Sequence, residues 1–316
     1  MKKVVVGICT YNRNDLLNLC LDRIYSVKLP KDVHLDVIVV DNSAEAAAKD
    51  LVEQKARVLA NGGGEDPLKL HYFSFHGKGI ASVRNEVLRR AKVLQPDYIA
   101  FIDDDEFPSE NWLVKLYSRI ENSDADVVTG PVVYNFIDVN LNPLNVPDWI
   151  KNNSYFKGKY KRPDGHICMT ASTNNVLFKT ALLDKMEYWF DERYQMMTGE
   201  DIDFFERIHR LGYKILWVKD AIVNEVVSPN RCNFKYIWKR NFNNGYLRIF
   251  NKKKNDRLQV KHYFGTILNA LIFLLLFAFS IFGGLTTFSN CYGKLAFSMG
   301  AFVSLFKSKA FVFYKD

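Results

Sequence analysis

Tyr98-Ile99-Ala100-Phe101-Ile102-Asp103-Asp104-Asp105-Glu106 (YIAFIDDDE) is the stretch on which the reading of this 316-residue chain turns. Five residues, aromatic or aliphatic, fit a strand covered on both faces. Four carboxylates follow where that strand must end. Two further runs share the design: residues 3–9 end in Thr10-Tyr11-Asn12-Arg13, and residues 35–40 end in Asp41-Asn42-Ser43. Between such runs the apolar spacing becomes helical. Residues 13–27, 44–59, 80–94 and 111–120 read as helices, while 70–75 and 126–133 continue the strand series. Asn61-Gly62-Gly63-Gly64 breaks the second helix. Farther on, 167–171 and 175–178 read as short strands, and a helix runs from Glu200-Asp201 to Leu211 with Phe204, Phe205, Ile208 and Leu211 on one face. Strands alternating with helices predict an α/β fold, a Rossmann-like, mostly parallel sheet with helices on both faces. Ligands bind such sheets beyond the carboxyl ends of the strands, so the polar strand ends are the candidate site.

With 48% hydrophobic and 25% charged residues, the composition excludes a disordered chain. The five cysteines are scattered and form no C-x-x-C pair. A disulfide framework or structural zinc is therefore not expected, and a reducing compartment is. The opening apolar run is too short for an export signal. The net charge of +8 is unevenly spread: residues 226–262 hold ten Lys or Arg against one acid, Asp256. This basic collar suits an anionic partner. Directly after it, residues 264–285 (FGTILNALIFLLLFAFSIFGGL) contain no charged side chain, and about 20 apolar residues suffice to cross a bilayer. A second apolar run, 295–306, ends at Lys307 and Lys309. The two form either a helical hairpin, returning Lys307, Lys309 and Lys315 to the collar's side, or one span plus an interfacial segment. The positive-inside rule places the collar in the cytoplasm. The apolar segment already accounts for the collar, so no nucleic-acid partner is expected. Trp238, Phe242, Tyr246 and Phe250 recur at i+4; this stripe either lies on the bilayer or belongs to the protein's own core. The organisation expected is a catalytic domain over 1–225, a basic juxtamembrane segment over 226–262 and membrane segments over 263–316.

Successive carboxylates at a buried strand end repel one another and pay desolvation unless a cation sits among them. Asp103 and Asp105 project to one side of an extended segment, which suits a hard divalent ion, Mn²⁺ or Mg²⁺. A solvated acidic turn capping the next helix is the alternative. Gly79-Ile80-Ala81-Ser82-Val83-Arg84-Asn85 starts a helix after a Gly-Lys-Gly turn, and helix N-termini favour anions. Arg84 there is either a phosphate ligand or an ordinary helix arginine. Gly199-Glu200-Asp201 opens another helix, where carboxylates are stabilised as anions; Asp201 is either a cap or a base held ionised. The six histidines form no ligand spacing. Neither G-x-x-x-x-G-K-[ST] nor G-x-G-x-x-G occurs where it would mark a Walker loop or a dinucleotide site.

Taken in order, VVVGICTYNR, VIVVDNS, GIASVRN, AFIDDDE and GEDIDFFERIHRLGY resemble glycosyltransferase family 2, over about residues 3–250. The DDDE variant and the VNEVVSPNR…WKRNFNNG stretch resemble bacterial exopolysaccharide glucosyltransferases of the succinoglycan-assembly kind. The resemblance implies a GT-A fold, a nucleotide-sugar donor (UDP-hexose, glucose as first guess) and inversion at the anomeric carbon. It implies a lipid-linked saccharide acceptor and a place at the bacterial inner membrane, with the catalytic domain on the cytoplasmic face. Thr10, Tyr11 and Arg13 would line the uracil and ribose pocket, Asp41 would pair with the base, and Arg84 would approach the base or diphosphate. Asp103 and Asp104 would hold ribose and metal, and Asp105 would ligate the metal. Asp201 would be the general base, with Glu200, Trp238 and Arg240 at the acceptor. Where many relatives carry a His, this chain has Asn224. Transfer to a polyprenyl phosphate, or a non-catalytic membrane-bound nucleotide-sugar binder, are the alternatives.

Overall fold

The structure is a computed structural model and describes residues 1–60, 68–157, 162–194, 198–255 and 257–307. Asn61-Gly62-Gly63-Gly64, Asp256, Lys309 and Lys315 lie outside the described residues.

Four strands, β1 (Lys2–Thr10), β2 (Val33–Asp41), β3 (Leu68–Ser74) and β4 (Tyr98–Phe101), run parallel in the order β3-β2-β1-β4. Their side chains alternate between two cores, as the pleat demands. Val4, Val6 and Ile8 of β1 pack with Leu17, Leu21 and Ile24 of α1 (Asn14–Tyr25) and with Trp112 and Leu116 of α4 (Trp112–Glu121). On the other face, Val5 and Phe101 pack with Val83 and Val87 of α3 (Gly79–Val93) and Phe204 and Phe205 of α6 (Glu200–Arg210). The sheet continues from β4 through β9 (Val176–Lys179), β6 (Val127–Thr129), β10 (Ile215–Trp217) and β8 (Ile167–Cys168), eight strands among the described residues. β9 lies antiparallel between β4 and β6, and β10 returns parallel to β6.

Three expectations shift. The strand expected over 126–133 is two strands, because Gly130 presses so close to Ala221 that a Cβ would stand 2.2 Å from its carbonyl oxygen. β6 stays in the main sheet, and β7 (Val132–Asn135) joins a second sheet with β11 (Val223–Val226) and β5 (Glu106–Pro108). Asn175, fully buried, locks this corner: it accepts from the Trp112 indole at 2.8 Å and donates to the carbonyls of Pro131 and Ala221. The helix expected from 44 begins later, as α2 (Lys49–Ala60), because the Ser43 and Ala48 amides are both drawn to the Asp41 carboxylate. Leu211 lies beyond the end of α6 and is exposed.

The chain divides into two compact units: residues 1–135, 159–196 and 200–226, and residues 136–158, 197–199 and 227–316. The first holds both sheets. The second brings the excursion 136–158 together with the C-terminal helices, an arrangement that differs from a catalytic domain running unbroken to 225. Within it, Trp149 of α5 (Asp148–Lys151) stacks on Phe234 of α7 (Phe234–Lys254) at 4.2 Å, and Asn153 donates to Ser289 of α9 (Gly284–Phe306). α7 and α9 run parallel: Trp238 meets Tyr292, and Lys253 donates to the Leu305 carbonyl. Glycines permit their close approach, since a Cβ on Gly245 would stand 1.8 Å from the Phe297 oxygen and one on Gly300 1.9 Å from the Phe242 oxygen. α8 (Val260–Ser280) turns back at Gly284, whose φ is +76°, so that Phe277 meets Phe288 and Lys294 sits over Phe273. These contacts make α8 and α9 an antiparallel hairpin. Val260–Phe306 is long and apolar enough to cross a membrane, and 6% of its most apolar window is buried, too little for a core helix. The aromatic stripe of α7 is covered by the unit itself: Tyr246 is fully buried and Trp238 half-buried against Tyr292.

Candidate active site

Parallel register brings the polar strand ends level. Thr10 pairs with Asp41 across β1 and β2, and continuing the β1–β4 register sets Thr10 beside Asp104. Thr10 Oγ donates to one oxygen of Asp104 at 2.9 Å. Asn12, at φ 52°, takes the left-handed turn that Asn tolerates and leads Arg13 into α1. Arg13 then donates to Asp104 at 3.1 Å and to Asp105 at 3.3 Å. Tyr11 stays 58% exposed at the rim.

A second cation faces the same acids. α3 enters through Gly79, at φ +78°, and is buried all round from Ala81 to Leu88, the polar Ser82, Arg84, Asn85 and Glu86 included. Arg84 forms an ion pair with Glu200 at the start of α6 and a second, at 3.2 Å, with Asp103. Burial works against the Arg84 charge, yet Glu200, Asp103 and Asp201 together hold its pKa above the usual value. Asn85 donates to the Phe190 carbonyl and to Glu192, fixing the segment that leads toward α6. Asp201 is half-buried, accepts from the Ile202 amide at 2.8 Å and repels Asp103. The two carboxylate groups therefore share one neighbourhood, joined through Arg84.

Electrostatically the acids are crowded. Burial, with Asp105 adding repulsion and Arg13 opposing, pushes Asp104 up to about 7. Burial raises Asp103 as well, with Asp105 and Asp201 adding to the effect against Arg84. Burial, with Asp201 adding repulsion, raises Glu200 against the pull of Arg84, and the second Glu200 oxygen is buried without a hydrogen-bond partner. Among the described residues no three His, Cys, Asp or Glu groups converge as a ready-made metal cage. An all-oxygen set of one or two carboxylates is what Mg²⁺-type ions use when substrate phosphates complete the shell, so Asp103 and Asp105 fit such an ion.

Several expected residues have other duties. Asp41 is fully buried, with its oxygens taken by the Ser43 and Ala48 amides and the Tyr72 hydroxyl; it holds its own loop rather than presenting an edge to a base. Glu200 is 1% exposed and serves as counter-ion to Arg84, which removes it from direct contact with an acceptor. Glu106 turns back to accept the Asp103 amide at 3.0 Å and closes the acidic turn. Asn224 accepts from Asn135 within the small sheet. Trp238 and Arg240 stand on α7, in the second unit. Sequence reading missed Asn85; the signal was a run of bulky polar residues, Arg84-Asn85-Glu86, on what must be a buried helix.

Solved glycosyltransferase structures share the fold. GalNAc-T7, with UDP, GalNAc and Mn²⁺, superposes with a TM-score of 0.54 at 13% identity, over 80% of this chain and 51% of that one. The mannosyltransferase PcManGT from Pyrobaculum calidifontis, with GDP-Man and Mn²⁺, gives 0.53 at 19% identity, over 94% and 73%. The succinoglycan biosynthesis protein ExoM of Rhizobium meliloti is 30% identical over 76% of this chain and 72% of its own length. The chondroitin synthase of Escherichia coli is 26% identical over 72% of this chain, which spans about a third (35%) of that protein. The profile of Glycosyl transferase family group 2 matches residues 98–307, and that of Glycosyl transferase family 2 matches residues 5–186, from β1 across the acidic turn. With the strand-end acids, the GT-A fold and an ExoM relative in agreement, the chain belongs to glycosyl transferase family 2 and is a glycosyltransferase.

Proposed function

We propose that the protein transfers one hexose, with inversion, from a nucleotide-sugar to a lipid-linked saccharide during bacterial exopolysaccharide assembly. The observation that supports this reading is the Arg84 bridge from Asp103 to Glu200, the residue before Asp201, with the Asp201 charge acting on both Arg84 and Asp103. A sugar hydroxyl is a weak nucleophile, and a positioned carboxylate accepts its proton as it attacks. Asp201 has that role here, and Arg84 with Glu200 positions it. One displacement at the anomeric carbon inverts it without a covalent intermediate. Thr10, Tyr11 and Arg13 receive the nucleoside, and Asp103 and Asp105 hold a divalent cation. That cation, when bound, neutralises charge developing on the departing diphosphate. The succinoglycan relative supports an exopolysaccharide pathway, and UDP-glucose is the first donor to try.

Membrane attachment belongs to the same proposal. Phe264, Leu268, Leu271, Leu275 and Phe279 form one stripe of α8, each more than half exposed, an apolar surface that hydrocarbon would cover. α7 accompanies α9 over about 20 residues, roughly 30 Å, and carries seven Lys or Arg with no acid. Cations at the bilayer centre cost about 2.5–3.5 kcal/mol each. The hairpin therefore lies in the plane of the membrane, with α8 toward the acyl chains and α7 toward the cytoplasm. A donor panel of UDP- and GDP-sugars, with and without Mn²⁺, tests the chemistry. Transfer from one donor that needs both the cation and Asp201 supports it; cation-independent transfer overturns it.

A further inference from the structure

A cavity of about 120 Å³ opens within the second unit, where α7, α8 and α9 meet. Arg248 and Lys252 of α7, Lys261 and His262 of the first turn of α8, and the hydroxyl-bearing Thr266 and Ser298 line it, and no Asp or Glu is among its lining residues. Thr266 and Ser298 are buried. Burial, with Arg248 and Lys261 repelling, holds the Lys252 ammonium below its usual pKa. His262 Nδ1 accepts the Gln259 amide at 2.9 Å, so the neutral ring carries its proton on Nε2 and offers a donor. Three cations gathered with no carboxylate among the described lining residues repel one another, and an anion joining them would relieve that repulsion. The lipid-facing stripe adjoins directly: Phe264 and Leu268 flank the cavity residues Gly265 and Thr266. Basic pockets between membrane helices at the cytoplasmic surface bind lipid phosphates.

We propose that this cavity binds a phosphate or diphosphate group borne by a membrane lipid. Its volume of about 120 Å³ admits a phosphate group. Arg248, Lys252 and Lys261 supply charge and the hydroxyls and imidazole supply hydrogen bonds, while the lipid's hydrocarbon follows the apolar face of α8. The proposal rests on the membrane attachment argued above and adds a specific headgroup site to it.

The test uses the full chain and neutral phosphatidylcholine vesicles, plain or doped with a few per cent of polyprenyl diphosphate or, separately, phosphatidylglycerol. Flotation with plain vesicles reports the attachment itself, so failure there indicts the membrane reading and not the site. Doping with the diphosphate lipid should tighten binding by about tenfold, near 1.4 kcal/mol. Lys252→Gln/Lys261→Gln should abolish that gain, whereas Lys235→Gln/Lys239→Gln, which removes equal charge from the exposed face of α7, should keep it. An equal gain with phosphatidylglycerol supports the site with bulk phospholipid as the ligand's source, and a gain confined to the diphosphate lipid supports it with the acceptor's carrier as the source. Equal loss in both variants, or no gain in the wild type, overturns the proposal. Melting temperature and plain-vesicle binding report folding, and Lys252→Gln alone replaces the double variant should it unfold.

Discussion

Asp201 and Arg84 divide the work at the acidic turn, and their variants should fail differently. Asp201→Asn keeps the shape and the helix-capping oxygen but loses the base, so turnover should fall by about 10²–10⁴-fold. Donor affinity, read by calorimetry, should change little; retained turnover would remove Asp201 from the chemistry. Arg84→Ala strands Glu200 and Asp103 without their cation, a change that costs about 3–5 kcal/mol in buried pairs. It should appear as a lowered melting temperature, and an unchanged one would show that the bridge contributes little. Asp104 gives a pH signature. Its pKa is raised by burial to about 7 in the fold against about 3.9 unfolded, so the folded chain holds this proton more tightly. The stabilisation is complete below about pH 4 and is lost as pH rises toward 7. Cation-free protein should therefore melt at lower temperature at pH 8 than at pH 5, and Mn²⁺ should raise the melting temperature more at pH 8. The acids themselves were legible in the sequence, because four carboxylates crowded at the end of an apolar strand repel one another and call for a cation. Their partners were not: Arg84 and Glu200 stand 116 residues apart, and periodicity does not say which polar residues meet.

At the scale of elements, apolar runs located the parallel half of the sheet to within a few residues, since β1, β2 and β4 are covered on both faces and admit little else. The antiparallel insertion of β9 carried no such mark. Three apolar residues, Val176, Leu177 and Phe178, look alike in either direction, and only the excursion 136–175 decides how the chain returns. The kink at Gly130 was equally hidden, because its cause is a carbonyl ninety residues away. The aromatic stripe of α7 was readable as a stripe but not as buried, since what covers it is α9. That packing yields a test. Gly245→Ala and Gly300→Ala each place a methyl on opposing backbone, and overpacking costs about 1–3 kcal/mol. Each should lower the stability of the second unit, while Gly265→Ala, which meets nothing within 4 Å, should not. Equal melting temperatures for all three would refute the close α7–α9 crossing.

For the whole molecule, charge and hydropathy announce a basic collar and an apolar tail, but only packing decides how the tail can meet a bilayer. A helical hairpin of this length suggests a span when read alone. Once α7 is seen to lie along α9, with seven cations and no acid, a perpendicular hairpin would carry those charges through hydrocarbon at about 2.5–3.5 kcal/mol for each one near the centre. An in-plane arrangement avoids the cost and still buries the stripe from Phe264 to Phe279. The two topologies separate at the turn near Phe282, which is 89% exposed. In sealed vesicles of known orientation, Lys235→Cys marks the face that α7 occupies. With the in-plane arrangement, a membrane-impermeant maleimide should reach Phe282→Cys from that same face or be excluded by lipid from both. With a spanning hairpin it should reach the cysteine from the opposite face alone, and that result would return α8 and α9 to the role of a transmembrane pair.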